Sequence, residues 1–151
     1  MRKFRFKLEK LHEYRKLLTG EEKTRLAREV GKLTKIEQQG KSLREIKLAT
    51  QKMRIRGLSE GLYPGEIINL HEHLLRVDET IADTDKKIVV ALQDVEKARL
   101  KLIERRKDEI VVESLKKRIF KRWLRDYYRD DGKTLDDIGN IQYYLARQKK
   151  G

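Results

Sequence analysis

Cysteine is missing from this chain, which excludes a disulfide framework, a thiol nucleophile and a thiolate metal site. A chain without cysteine also fits a reducing compartment. Proline occurs once, at Pro64, so only one position carries a residue that cannot sit in a helix interior. No apolar run approaches the roughly 18 residues that a membrane span needs. The opening Met-Arg-Lys-Phe-Arg-Phe-Lys has charge without an apolar stretch behind it, so no secretory signal is expected. A Gly-x-x-x-x-Gly-Lys-Ser/Thr loop is absent, which excludes a nucleotide site of that kind. With no thiol, no nucleotide loop and no thick core to form a pocket, neither an enzyme nor a cofactor is expected. The expectation is a soluble, cytoplasmic protein.

What the chain does have is charge and period. Charged residues make up 42% and hydrophobic residues 38%. That is too polar for a thick core and suits a thin seam between helices. Disorder is the competing reading of so polar a chain, but disordered tracts keep no register. Here apolar residues recur at helical spacing from Phe4 to about Met53 and again from Ile67 to about Tyr128. Between the two runs lies Gly57-Leu-Ser-Glu-Gly61-Leu-Tyr-Pro64-Gly65, where proline and glycine together predict a bend. The fold class is therefore all-α. We expect one domain over residues 1–151, a long antiparallel two-helix coiled coil with a short C-terminal helix. The helices are expected at about 3–57, about 66–129 and about 134–147, with the bend at 57–66. The last helix is read from Thr134-Leu-Asp-Asp137, which resembles a capping box after Asp130-Asp-Gly-Lys.

The seam can be written out. Ile67, Leu74, Ile81, Ile88, Val95 and Leu102 stand at successive steps of seven, with Leu70, Val77, Ala91 and Ala98 three residues after members of that series. On the first helix Phe4, Leu11 and Leu18 keep the same step, flanked by Leu8 and Tyr14. Leu26, Leu33 and Gly40 then follow one residue out of phase, beside Ile36, Leu43 and Thr50. Such a slip is expected to unwind a supercoil locally. Beyond Leu102 the phase is expected to drift through Ile103 and Ile110 to Leu115, Ile119, Trp123 and Tyr127.

Charge is unevenly spread. Residues 1–35 hold 12 Lys/Arg against 5 Asp/Glu, and residues 99–129 again 12 against 5. Residues 66–98 hold 4 against 8, while residues 36–65, expected to lie beside them, hold 6 against 3. A hairpin thus brings complementary charge together near the bend and leaves its open end basic, where an acidic partner is expected.

Other readings of single motifs are weaker. His71-Glu72-His73 places two histidines two apart, off a common helix face, so a zinc site is not expected. The acids Asp130, Asp131, Asp136 and Asp137 lack the alternation of a calcium loop. Arg118-Ile-Phe-Lys-Arg-Trp-Leu-Arg-Asp-Tyr-Tyr-Arg129 could bind nucleic acid through phosphates and stacking. Core aromatics on one face and solvated charge on the other is the favoured alternative. A basic coiled-coil arm for RNA or DNA remains the second functional reading.

Phe4, Phe6, Leu8, Glu9, Leu11 and Arg15 fall on the pattern Phe-x-Phe-x-Leu-Glu-x-(apolar)-x-x-x-Arg. Leu135-Asp136-Asp137-Ile138 with Tyr143 and Tyr144 resembles a matching C-terminal pattern, with Asp137 where Glu is usual. Together these ends resemble the flagellar FliJ family. The resemblance implies a non-enzymatic component of the flagellar type III export apparatus, a monomeric rod similar to the central stalk of rotary ATPases. It implies a hexameric export ATPase and an export-gate membrane protein as partners, with free export chaperones for some members and no nucleic acid. It also implies a cytoplasmic protein peripheral to the membrane at the flagellar base. On that resemblance the ATPase-binding residues are expected in the basic open end: Arg2, Lys3, Arg5, Lys7, Lys117, Arg118, Lys121, Arg122 and Arg125. By position along the rod, the gate-binding face falls on Gln39, Leu43, Ile46 and Thr50 of the first helix and on His73, Val77, Thr80 and Thr84 of the second. Each set follows one helical stripe.

Overall fold

The computed structural model describes residues 3–148. Two helices account for nearly all of them, α1 over Glu9–Glu60 and α2 over Pro64–Gln148. The all-α hairpin fold is as the periodicity predicts. The chain divides into two compact units, one of Thr19–Arg105 and one of Met1–Leu18 with Arg106–Gly151.

The unit of Thr19–Arg105 contains the bend. α1 ends at Glu60, and Gly61 takes the left-handed conformation with φ of 80°. The Leu62 N–H then donates to the Gly57 carbonyl at 2.9 Å, the six-to-one closure that satisfies an orphan carbonyl at a helix end. Leu62 folds back over Gly57, where an added Cβ would collide with Leu62 Cδ1. Tyr63 caps α2, its carbonyl accepting from Glu66 and Ile67 N–H at 3.0 and 3.3 Å. Pro64 occupies the first helical position, where its missing N–H costs nothing. The bend is thus three residues long.

Inward residues of α1 in this unit are Thr19, Leu26, Leu33, Gly40, Lys47 and Arg54 at steps of seven. Glu22, Glu29, Ile36, Leu43, Thr50 and Gly57 follow each by three. All are buried or half-buried. Across from them stand Ile67 through Leu102 as expected, with Leu70, Val77, Thr84, Ala91, Ala98 and Arg105. Only one side of this seam is plainly apolar. Arg44 Nη2 reaches Asp85 at 2.6 Å and Lys47 Nζ reaches Asp78 at 2.6 Å, the complementary charge expected near the bend.

In the other unit, residues 3–6 are not helical and lie against α2, whereas a helix from about residue 3 was expected. Phe6, His12, Glu109 and Val112 are buried, and Arg15 and Lys116 are half-buried. His12 and Arg15 stand seven residues before Thr19 and Glu22. The one-residue slip predicted after Leu18 is therefore absent. Leu8, Leu11, Tyr14 and Leu17 are exposed, and polar side chains share the inward positions with Phe4, Phe6 and Leu18. The drift predicted beyond Leu102 is met in part. Steps of seven continue through Glu109, Lys116 and Trp123, and Ile103, Ile110 and Ile119 are exposed, while Leu115, Trp123 and Tyr127 are half-buried as expected.

α2 also runs straight through Asp130-Asp-Gly-Lys, so the short terminal helix expected at about 134–147 is the last part of α2. The Thr134 hydroxyl donates to the Asp130 carbonyl at 3.0 Å, a bond made inside a helix and not at a cap. One glycine costs a helix about 1 kcal/mol, too little to break it without a proline.

Candidate functional site

Two surfaces carry the residues singled out by sequence. The first lies in the unit that holds the chain's N-terminal segment. There the Phe4 ring meets Phe120 edge-on at 5.0 Å and lies 5.7 Å from Trp123. Phe120 and Trp123 stack at 5.8 Å, and Trp123 and Tyr127 at 5.5 Å. Aromatic pairs in these arrangements hold beyond their buried area. The rings therefore fasten residues 3–6 to α2. Lys116 Nζ sits 5.9 Å from the Phe6 ring centroid and 2.7 Å from Glu9 Oε1. Arg15 Nη1 reaches Asp108 Oδ2 at 2.9 Å.

Around this aromatic row Lys3, Arg5, Lys7, Lys117, Arg118, Lys121, Arg122 and Arg125 are all exposed. Lys117 is tied to Glu113 at 2.8 Å. The structure therefore brings the two basic segments into one unit. Arg2 lies outside the described residues. Sequence reasoning missed a neighbouring feature. Leu135, Ile138, Ile141 and Leu145 are exposed on the last part of α2, and among the described residues no other element covers them. Their spacing is visible in the sequence, but as a separate short helix they were assigned no surface role.

The Glu9 carboxyl is held below the usual carboxylate range, first by its hydrogen bond from Lys116. Glu113 is lowered likewise, first by Lys117. A carboxylate lowered by folding contributes stability above its unfolded pKa, and that stability is lost as pH falls through the folded value. Lys116→Met is thus expected to lower the thermal midpoint of Trp123 fluorescence at pH 7 and to leave it nearly unchanged at pH 3. An equal drop at both pH values would refute the linkage.

The second surface lies in the unit of the bend. Of the eight gate-face residues, Gln39, Ile46, His73 and Thr80 are exposed. Thr50, Val77 and Thr84 are buried in the seam and Leu43 is half-buried there. The Thr50 and Thr84 hydroxyls donate to the carbonyls of Ile46 and Thr80 at 2.9 and 2.7 Å, which leaves their methyl groups to pack. Gln39, Leu43, Thr80 and Thr84 come together as lining of one open groove of about 610 Å³ between the helices. His71 and His73 are exposed, and His71 Nδ1 lies 3.4 Å from Arg54 Nη1.

The family described as Flagellar FliJ protein matches this sequence over residues 4–148. The chain belongs to the flagellar FliJ family. Membership makes it a component of a type III protein export apparatus, in a family that is not catalytic. No curated relative matches significantly. Among solved structures, a Chlamydia trachomatis protein described as a YscO homolog is similar at 20% identity and a TM-score of 0.44, over 97% of this chain and 99% of that one. Among the described residues of this FliJ-family chain, no helix is long and apolar enough to cross a membrane.

Proposed function

We propose that this FliJ-family chain is a stalk that docks in the hexameric export ATPase, promotes assembly of the ring and links it to the export gate. The observation that carries the reading is the pairing of two features in one unit. Exposed cations surround a fastened aromatic row, and an uncovered apolar stripe follows on the same helix. Charge of one sign guides approach, and apolar anchors hold what has been guided. The rings stack on one another, which leaves them poorly placed to stack on bases and favours a protein partner over single-stranded nucleic acid. The protein then works in the cytoplasm, peripheral to the membrane at the flagellar base.

ATP hydrolysis by the export ATPase of the same organism, titrated with this chain at physiological salt, tests the stalk. Stimulation that saturates near one chain per ATPase hexamer is expected. Absence of both stimulation and binding would sink the proposal.

The gate face is the second part of the reading, supported by the groove that Gln39 and Thr80 share. Gln39→Ala with His73→Ala, both exposed, is expected to weaken binding of the gate's cytoplasmic domain about tenfold, or about 1.4 kcal/mol. Unchanged affinity would move the gate contact elsewhere. Export chaperones are a further partner to be tried in the same assay.

A further inference from the structure

The two flanks of the seam near the bend meet their charges differently. On one flank, Arg44 and Lys47 of α1 reach Asp85 and Asp78 of α2. On the other, Lys35 of α1 and Lys87 of α2 line the same groove of about 610 Å³. Both are exposed, and neither forms an ion pair among the described residues. One groove thus takes a cation from each helix, and like charges gathered in one place repel. In coiled coils, charges that flank a seam choose partners and orientation. A like-charged pair across the seam therefore favours an anion between them.

The groove is built for more than an ion. Its floor carries half-buried Leu43 and buried Thr84, and its rim carries Gln39 and Ser42. Amide and hydroxyl groups there can both donate to and accept from a peptide backbone. Lys87 also lines a second hollow, of about 370 Å³, where Ile36, Val90 and Ala91 stand beside Glu29, Lys32, Lys86 and Asp94. Glu29 and Asp94 are held by Lys32 at 2.8 Å and Lys97 at 3.8 Å, which leaves the aliphatic side chains as the uncommitted part of that recess.

We propose that this groove takes an acidic peptide segment of a partner protein, with a carboxylate between Lys35 and Lys87 and a neighbouring apolar side chain in the recess at Ile36 and Ala91. The inference rests on the gate reading only for which protein brings the segment, since the groove alone carries the chemistry.

The test uses the full chain and two labelled peptides, one of alternating Glu and Leu pairs and one with Lys in place of Glu, followed by fluorescence anisotropy. Lys35→Glu with Lys87→Glu is expected to weaken the Glu peptide at least tenfold and to bring in the Lys peptide. Lys23→Glu with Lys101→Glu changes net charge equally at exposed positions of the same unit that do not line the groove, and it is expected to weaken the Glu peptide less than threefold. Equal losses in the two variants would show generic attraction to a basic protein and overturn the proposal. So would failure of the Glu peptide to bind the unaltered chain at low salt. The gate's cytoplasmic domain is measured in parallel. If K35E/K87E weakens the peptide and not the gate domain, the groove serves another acidic partner, and the gate reading fails while this one stands.

Discussion

Arg118→Glu, Lys121→Glu and Arg122→Glu in one chain abolish stimulation of the export ATPase, with at least a tenfold loss of apparent affinity. The three cations are exposed, and none forms an ion pair among the described residues. Reversing them breaks no ion pair among the described residues, so helicity and Trp123 fluorescence should stay as they are. Their effect is on encounter: complementary fields raise association rates, and this contribution falls with ionic strength. The variant should therefore lose most at low salt. Ile138→Asp with Ile141→Asp makes the complementary change on the uncovered stripe of α2. Apolar anchors act mainly on dissociation. This second variant should associate at nearly the normal rate, leave quickly, and stay weak at high salt. If both variants stimulate as the unaltered chain does, the surface of this unit is not the docking surface.

The sequence was most legible where the seam is apolar on one helix. Ile67 to Leu102 announce their face because six large aliphatics repeat without interruption, and every one is inward. The bend was legible because Gly61 and Pro64 each have a conformational job there. Reading failed where the inward positions are polar. His12, Arg15, Thr19 and Glu22 keep the heptad, but Leu8, Leu11 and Tyr14 beside them are the exposed residues that the hydrophobicity pattern selects. On α2, Glu109 and Lys116 hide the same register behind Ile103 and Ile110. A burial pattern follows geometry, and a hydrophobicity pattern follows only what usually fills it. The basic surface was legible as composition. Its fastening was not, because the Phe4, Phe120 and Trp123 cluster depends on a non-helical segment that periodicity had drawn as helix.

The same contrast sets the sign of two seam mutations in the unit of the bend. Leu74 is 6% exposed and belongs to the uninterrupted aliphatic row. Leu74→Ala removes buried methyl groups and leaves a void that a thin seam can only partly close, so a loss of about 2–4 kcal/mol is expected. Two helices offer few alternative contacts, which places the value toward the upper end. Glu22 is as buried as an aliphatic, yet its Oε2 has no hydrogen-bond partner among the described residues, while Oε1 meets Arg25 at 3.3 Å. Desolvating a carboxylate costs more than one exposed arginine returns. Glu22→Leu is therefore expected to stabilise this unit by about 1 kcal/mol. The two sites lie far apart along the helices, so the double variant should show the sum of the single effects. Urea unfolding followed by circular dichroism reads all three variants. A stabilising Glu22→Leu would mean that the polar stretch of the seam is retained for something other than stability. A destabilising one would mean that Glu22 is satisfied in solution, and that the polar positions hold the two helices in register as firmly as the leucines do.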